Sequence, residues 1–262
     1  MNLLVKGSYS VLTLDQVKEI EEYRLNKNCQ KVYFKVNKKS TGEKKVLERY
    51  FKDYPFFSFW DDEEYSEILS YKQDKNILQG DYRKYPVYIR GLMIEYNLFR
   101  KEIAYSLVKP KRITHIQSVA DLSAELARIN GYDVNKAEIA GLFHDCTKKL
   151  DKKETARIMR LTAPKRIGES FPILHQYTGS YFLKHELGYT DYEVYMAIRW
   201  HCDGNYESTL GKIIYLADKL DPTRGLDNKD ILELAKKDLD QAFIEEKKRQ
   251  KEYLLSQNVV VV

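Results

Sequence analysis

An adjacent histidine and aspartate, His144 and Asp145, stand at the end of an apolar run. The segment reads IAGLFHDCTKKL, so the pair directly follows residues that a folded chain buries. An imidazole and a carboxylate are costly to remove from water unless a compensating charge is buried with them. A bound metal ion would supply that charge. The rest of the chain must then fold so that further ligands reach this pair.

Further candidate ligands lie within a limited part of the chain. All five histidines fall between positions 115 and 201. His185 is predicted to be an exposed helix residue. The other four lie within helical patterns: His115, His144, His175 and His201. A single helical histidine is usually an ordinary core or surface residue, whereas this grouping favours metal ligands.

One more carboxylate stands in an apolar stretch. Asp218 lies in IIYLADKLD, where an ionised side chain needs a cation or several hydrogen-bond donors. Its alternative role is to accept hydrogen bonds at a helix end.

From Lys101 onward the pattern is one helix after another. Apolar residues in the first of these helices repeat with helical spacing, and Gly131 follows as a stop signal. Asp133 and Asp151 precede two further helices, whose first turns they can cap. The predicted helices are Arg112–Ile129, Asn135–Cys146, Lys152–Leu161, Pro172–Leu187, Tyr192–His201, Thr209–Leu220 and Asn228–Ser256.

The first half mixes strands and helices. Leu3–Val5 and Lys31–Val36 have strand character, and the helical segment Asp15–Asn26 lies between them. Strand, helix, strand is the βαβ pattern of a parallel sheet. Three later segments are helix candidates: Lys45–Tyr54, Glu64–Lys72 and Val87–Leu98. The predicted fold class is therefore mainly α, with a small N-terminal α/β domain at 1–100 and an all-α domain at 101–262.

Composition excludes several classes of protein. A hydrophobic fraction of 43% with 21 Tyr and 10 Phe rules out a disordered chain. No apolar run approaches the roughly 20 residues that span a bilayer, so no membrane partner is expected. The three cysteines form no C-x-x-C pair, which favours reduced thiols and a cytoplasmic location. A net charge of +5, spread along the chain, predicts a solvated surface and no nucleic-acid partner.

The order His115, then His144-Asp145, then Asp218 resembles the H…HD…D signature of the HD-domain phosphohydrolases. More narrowly, the second half is similar to the bacterial YqeK-like HD domains, the symmetrical dinucleoside tetraphosphatases. The matching strings, in order, are RITHIQSVADLSAELA, IAGLFHDCTKKL, ILHQYTGSYFLKHELG, AIRWHCDG and KIIYLADKLDPTRG. Where that family tends to carry hydroxyl residues after His201, this chain has Cys202 and Asp203. We interpret Cys202 as a packing residue, and Asp203 as a change that alters substrate preference or repels phosphate.

The resemblance implies a two-metal hydrolase built in an all-α HD-domain helical bundle. It assigns four ligands to one metal: His115, His144, Asp145 and Asp218. His175 and His201 bind the other metal, with Asp145 bridging. Both ions would be divalent transition metals, with iron expected and manganese or zinc as alternatives. Together they would activate a water for attack on phosphorus and neutralise phosphoryl charge.

The implied reaction is cleavage of diadenosine tetraphosphate into two ADP, so a dinucleoside polyphosphate is the expected partner. Asp145 and Lys148 are the predicted catalytic residues. Lys148 and Arg224 match positions that bind phosphate groups, although each has the alternative of an ordinary surface charge. A homodimer is left open. Two other functions remain: an HD-type nucleotidase or pyrophosphatase acting on another nucleotide, and a non-catalytic nucleotide-sensing module. The full set of six ligand positions argues against the sensor.

Residues 1–100 resemble a shortened bacterial nicotinate-nucleotide adenylyltransferase. The stretch from Leu3 to Val36 is similar to that family's opening βαβ unit, with a glycine turn after the first strand. Thr13 and Gln16 stand where that family has two histidines that bind triphosphate. The resemblance therefore implies an inactive remnant. The alternative is a chance match to a short βαβ pattern.

Overall fold

The chain divides into two compact units, described here for residues 1–7, 11–35, 40–71, 81–225 and 228–257 of a computed structural model. One unit comprises Met1–Ser106 together with Leu187–Tyr189. The other comprises Leu107–Glu186 together with Thr190–Val262. The activities predicted for residues 1–100 and 101–262 remain predictions.

A four-stranded parallel sheet forms the centre of the first unit. Its strands are β1 (Asn2–Gly7), β2 (Lys31–Phe34), β3 (Phe57–Phe59) and β4 (Glu67–Tyr71). Their spatial order is β3-β2-β1-β4, and Leu4 of β1 lies opposite both Tyr33 and Ile68. The order reverses direction at β1, as in doubly wound α/β folds. The predicted βαβ unit is therefore present, because α1 (Leu14–Asn26) joins the parallel strands β1 and β2.

Among the described residues of this unit, three further α-helices are present: α2 (Thr41–Asp53), α3 (Val87–Glu95) and α4 (Arg100–Ser106). The prediction of a helix over Glu64–Lys72 is wrong. Residues Glu67–Tyr71 form β4, which pairs with β1 and alternates half-buried and exposed side chains as a strand does. Pairing with a buried neighbouring strand outweighed a weak helical pattern. Val36 and Lys72, at the ends of two predicted segments, lie outside the described residues.

The second unit is built from helices. They are α5 (Ile113–Ile129), α6 (Val134–Phe143), α7 (Lys152–Thr162), α8 (His175–His185), α9 (Tyr192–Arg199), α10 (Thr209–Lys219), α11 (Lys229–Lys237) and α12 (Leu239–Ser256). Asp133 and Asp151 cap α6 and α7, because their side chains accept hydrogen bonds from backbone N–H groups of the first turns. Gly131 has a φ of 65°, which suits its place after α5.

The long helix predicted over Asn228–Ser256 is instead two helices. Asp238 has extended backbone angles (φ −149°, ψ 96°), and its side chain accepts a hydrogen bond from the N–H of Gln241. An aspartate competes with the helix by capping the turn that follows it, so the chain ends α11 and starts α12 at this residue. A charged, weakly periodic sequence gives little indication of such a break.

Helix α10 lies at the centre of the second unit. It packs against α5, α6, α9 and α12. Ile213, Ile214 and Leu216 on this helix have no exposed surface, and Asp218 is only 5% exposed. The predicted fold class, mainly α with a small parallel α/β part, is confirmed. Among the described residues, we find no helix with the length and apolar character needed to cross a bilayer.

The close approach of α5 and α6 generates a prediction about Gly141. A Cβ at this position would lie 2.6 Å from the Cα of Ala120 on α5, which is backbone and cannot rotate away. We expect Gly141→Ala to lower the free energy of unfolding by about 1–3 kcal/mol through overpacking. Urea denaturation measures this change.

Gly168→Ala is the matched control, because no atom lies within 4 Å of its added Cβ. That variant should be neutral or slightly stabilised. Equal stabilities for the two variants would contradict the helix contact.

Candidate metal centre

The six candidate ligands lie at the ends of five helices. His115 lies in the first turn of α5, His175 is the first residue of α8, and Asp218 lies in the last turn of α10. The other three follow the carboxyl ends of α6 and α9: His144, Asp145 and His201. Each helix end therefore delivers one or two ligands to the same place, although the ligands are far apart in sequence.

Two of these positions differ from the predicted helices. The prediction placed His144 and His201 within helical segments, but α6 ends at Phe143 and α9 at Arg199. Residues 201–204 form a turn. The side chains of His201 and Cys202 therefore do not diverge as they would on adjacent helical positions.

The four imidazoles form two pairs. The Nε2 atoms of His115 and His144 are 3.2 Å apart, and those of His175 and His201 are 3.0 Å apart. The rings of His144 and His201 also meet edge to face, with centroids 5.1 Å apart. The two pairs are thus parts of one cluster.

The Asp145 carboxylate lies between the two pairs and has no exposed surface. Its Oδ2 atom is 3.5 Å from Nε2 of both His115 and His144. Its Oδ1 atom is 3.0 Å from Nε2 of His175 and 4.0 Å from that of His201. One carboxylate oxygen therefore faces each histidine pair.

Asp218 faces only the first pair. Its Oδ1 atom is 3.5 Å from Nε2 of His115 and 3.7 Å from Nε2 of His144. The structure thus brings all six sequence-predicted ligand positions together, four around one point and two beside the other oxygen of Asp145.

Hydrogen bonds at the outer ring nitrogens orient three of the imidazoles. The Nδ1 atoms of His144, His175 and His201 each lie 2.7 Å from the carbonyl oxygen three residues earlier in the chain. A carbonyl only accepts, so each Nδ1 carries the proton and each Nε2 presents a lone pair to the cluster. The capture of Nδ1–H by a backbone carbonyl is the arrangement that metal-binding histidines use.

His115 is oriented by a carboxylate instead. Its Nδ1 donates to Oδ2 of Asp221 at 2.6 Å, and Asp221 is itself fully buried. Asp221 also accepts a hydrogen bond from the backbone N–H of Thr223. A carboxylate behind an imidazole makes the inward nitrogen a stronger ligand.

These residues fit divalent metal ions. The Nε2 atoms of His175 and His201 lie 3.0 Å apart. Because both rings carry their proton on Nδ1, neither Nε2 can donate a hydrogen bond to the other, and a cation between them would satisfy both lone pairs. Oδ1 of Asp145 is buried without a hydrogen bond of normal geometry. Imidazole and carboxylate donors are the set that first-row transition metals bind.

The electrostatics of the cluster favour the ligand forms of most of these groups. Burial raises the pKa of Asp145 and Asp218, but neighbouring imidazoles and cations hold both well below the usual range. Burial and the nearby imidazoles lower the pKa of His201 well below its ordinary value. Burial lowers the pKa of His115, yet the surrounding carboxylates outweigh it and raise this pKa to about 9.

Cationic side chains surround the two carboxylates. Lys148 Nζ lies 3.1 Å from Oδ1 of Asp145, and the Arg112 guanidinium contacts Oδ2. Arg224 contacts Oδ1 of Asp218, and Lys219 Nζ lies 3.0 Å from Oδ2. The predicted phosphate-binding residues Lys148 and Arg224 thus lie at the edge of the cluster, and both are about one-third exposed.

A cavity of about 290 Å³ opens beside the cluster. His175, Lys148 and Arg112 form its polar side, and Leu150 and Phe171 belong to its apolar side. The cavity therefore combines positive charge, an apolar wall and one imidazole of the cluster.

Asp203 forms hydrogen bonds with two side chains of α8. Its Oδ2 atom accepts hydrogen bonds from Gln176 Nε2 at 2.8 Å and from the Tyr177 hydroxyl at 3.2 Å. The Oε1 atom of the same Gln176 accepts the N–H of Cys202 at 3.2 Å. Asp203 thus orders the turn that carries His201.

Sequence reasoning missed three residues of the site. Arg112 and Asp221 contact ligands that are 33 and 106 positions away, and no local pattern reports such contacts. Cys202 had been interpreted as a packing residue. Its Sγ atom lies 3.4 Å from His201 Nε2, and it forms a potential metal-binding group with His175 and His201.

Known proteins resemble this chain in sequence. A sequence model described as the HD domain matches residues 112–223. A symmetrical bis(5'-nucleosyl)-tetraphosphatase of Bacillus subtilis (strain 168) is 36% identical over 166 residues, 60% of this chain and 89% of that protein. Its counterpart in Halalkalibacterium halodurans is 35% identical over 163 residues, 59% of this chain and 87% of that protein. This chain belongs to the YqeK-like HD-domain family.

A longer relative and a solved structure extend this result. A probable nicotinate-nucleotide adenylyltransferase/Ap4A hydrolase of Mycoplasma pneumoniae is 33% identical over 170 residues, 62% of this chain and 49% of that protein. The chain therefore matches about half the length of that relative. A predicted HD superfamily hydrolase involved in NAD metabolism from Clostridium acetobutylicum has a TM-score of 0.55 and 27% identity, over 62% of this chain and 88% of its own. The HD domain implies that this YqeK-like protein binds divalent metal.

The paired imidazoles generate a prediction about metal content. We expect His201→Ala to reduce the bound metal by about one ion per chain, because the His175 pair loses a ligand while the other group stays intact. Elemental analysis of purified protein measures this loss.

His185→Ala is the matched control, because His185 is the histidine that lies exposed at the end of α8. It should keep the metal content of the unmodified chain. Unchanged metal in His201→Ala would remove this residue from the ligand set.

Proposed function

We propose that this chain is a metal-dependent hydrolase that cleaves diadenosine tetraphosphate symmetrically into two ADP. The observation that carries the proposal is the position of Asp145, with one oxygen facing each of two histidine pairs. The names of three relatives, each a symmetrical bis(5'-nucleosyl)-tetraphosphatase matched over at least 86% of its length, support the choice of substrate.

The proposed centre holds two divalent ions. His115, His144 and Asp218 would bind one, His175 and His201 the other, and Asp145 would bridge them through its two oxygens. Iron is the expected metal, with manganese and zinc as alternatives. When bound, the ions supply an activated water and neutralise charge on the phosphoryl group.

Residues of the chain orient the substrate. Lys148 and Arg112 line the cavity beside His175, and both contact the carboxylate of Asp145. Phosphate oxygens offer these cations the same kind of partner, and Arg112 can bind two of them at once. Arg224, one-third exposed beside Asp218, would hold a phosphate on the other side of the centre.

The apolar part of the cavity suits a nucleoside. Phe171 is 46% exposed, and its ring is free to stack against a base. If one nucleoside binds in this cavity and the phosphates lie along Lys148 and Arg112, the distance between the cavity and the metal centre determines which phosphoanhydride bond is cleaved. Cutting between the second and third phosphates gives two identical products.

The first unit is proposed to be an adenylyltransferase remnant without activity. Thr13 Oγ1 accepts the N–H of Gln16 at 3.1 Å, and Gln16 Oε1 accepts the N–H of Thr13 at 2.9 Å. This capping box satisfies N–H groups at the start of α1 that could otherwise bind a phosphate. Neither side chain carries a positive charge to replace the two histidines of that family.

The proposal also includes location and partners. Three unpaired cysteines support a cytoplasmic location. A dinucleoside polyphosphate is the expected partner, a homodimer is compatible with the proposal, and nucleic acid is not expected to bind.

The role of Asp145 is tested with Asp145→Ala. Because this residue would contact both ions, we expect hydrolysis of diadenosine tetraphosphate to fall by far more than about tenfold, which corresponds to roughly 1.4 kcal/mol. Chromatography of early products should show ADP alone from the unmodified enzyme.

Asp121→Ala, on the exposed side of α5, is the control and should keep the full rate. AMP and ATP in equal amounts from the unmodified chain would exclude symmetrical cleavage. A variant at Asp145 with more than a tenth of the normal rate would exclude the bridging role.

The phosphate-binding residues are tested by neutralising them one at a time. Lys148→Ala, Arg224→Ala and Arg112→Ala should each slow turnover by about 10- to 100-fold, or roughly 1.4–2.8 kcal/mol, because the phosphates lose their register. Lys153→Ala, an exposed lysine at the start of α7, should leave the rate unchanged. Normal rates in all three variants would show that these cations serve only the buried carboxylates.

A further inference from the structure

A thiol lies against the second histidine pair. The Sγ atom of Cys202 is 3.4 Å from Nε2 of His201 and 3.6 Å from Nε2 of His175. These two nitrogens are 3.0 Å apart. The three atoms form a small triangle, and each of them can bind a metal ion.

The size of this triangle matches one face of a tetrahedral metal site. With metal–nitrogen bonds of about 2.0–2.1 Å and a metal–sulfur bond of about 2.3 Å, tetrahedral ligands lie about 3.3 Å (N to N) and about 3.6 Å (N to S) apart. The three measured distances fall within a few tenths of an ångström of these values. A single ion can therefore reach all three atoms without rearrangement of the chain.

A fourth ligand atom approaches the same triangle. Oδ1 of Asp145 lies 3.0 Å from His175 Nε2 and 4.0 Å from His201 Nε2. The residue has no exposed surface, and Lys148 Nζ lies 3.1 Å from the same oxygen. A buried carboxylate oxygen beside two imidazole lone pairs is a further donor for a cation held at this triangle.

The turn that carries Cys202 is held in place. The backbone N–H of Cys202 donates to Gln176 Oε1, and Gln176 Nε2 donates to Asp203. Gln176 is fully buried on α8, one residue after His175. The side-chain amide of Gln176 therefore positions the Cys202 thiol relative to the His175 imidazole.

We propose that Cys202 is a ligand of the metal ion at the His175/His201 position. The inference rests on the proposed two-metal centre and adds a ligand to it. The S–H bond breaks, the proton goes to solvent, and the thiolate binds the ion. A thiolate favours Zn²⁺, Fe²⁺ or Co²⁺ over the harder Mn²⁺ and Mg²⁺, so this position selects a thiophilic ion.

Cobalt reports this bond directly. Metal-depleted full-length protein is titrated with Co²⁺ while the near-ultraviolet absorption of a cobalt–thiolate bond is followed. We expect the band in the unmodified chain and its loss in Cys202→Ser, which should still bind two cobalt ions. In a weakly buffered solution, the unmodified chain should release one more proton per chain than the variant.

Cys146→Ala is the matched control. Its thiol also follows a ligand in sequence, but it is buried against the carbonyl of Gly179 at 3.8 Å, so the band should persist. Two bound cobalt ions without a thiolate band would overturn this inference and leave the proposed centre standing. A chain that binds no cobalt would overturn the proposed centre, and this inference with it.

A second measurement needs no variant. Of the three cysteines, Cys29 and Cys146 are buried and Cys202 is half-buried. In the native chain, a thiol reagent should therefore modify Cys202 first. Saturating Zn²⁺ should slow that reaction, because a thiolate bound to the ion is no longer available to the reagent, and a chelator should restore the rate. An unchanged rate in zinc-saturated protein would contradict a zinc–thiolate bond.

Discussion

The arrangement of the helical unit depends on the burial of one carboxylate. Asp145 has no exposed surface, and a buried charge without compensation is strongly destabilising. Its compensation comes from separate elements: Arg112 before α5, Lys148 after α6, and imidazoles at the ends of other helices. None of these elements can shift without leaving the charge less well stabilised. The contact of α5 and α6 at Gly141 is part of the same requirement, because the carbonyl of Gly141 also orients His144.

In both units, hydrogen bonds within the chain satisfy polar groups, but the consequences for ligand binding are opposite. At the start of α1, the side chains of Thr13 and Gln16 satisfy each other's backbone N–H groups, so these two groups are not left for an anion. Around Asp145, backbone carbonyls satisfy the outer nitrogens of three imidazoles and leave the inner nitrogens open. At the start of α1, these hydrogen bonds use donors that could have bound an anion. Around Asp145, they orient the imidazoles so that their inner nitrogens can bind a metal ion.

The sequence predicted much of this architecture, for identifiable reasons. Apolar periodicity and aspartate caps located most helices, and the His144-Asp145 pair indicated the cluster because a charged pair after an apolar run needs compensation. The β4 strand was mistaken for a helix, since its pairing with β1 depends on residues far away in sequence. Asp221 and Arg112 were missed for the same reason. The contact of Cys202 with His201 was not expected, because the predicted helix continues two residues beyond the end of α9 and hides the turn that brings the thiol to the imidazole.

The wide spacing of the cluster along the chain has a consequence for protein synthesis. The first imidazole is at position 115, and the carboxylate that orients it is at position 221 of 262. A ribosome adds residues in order, so a growing chain exposes several histidines long before their partners exist. During that interval, His115 lacks both Asp218, which faces its inward nitrogen, and Asp221, which orients its ring. The group around His115 is complete only when α10 and the turn after it have emerged and packed, so its assembly follows that of the His175/His201 pair.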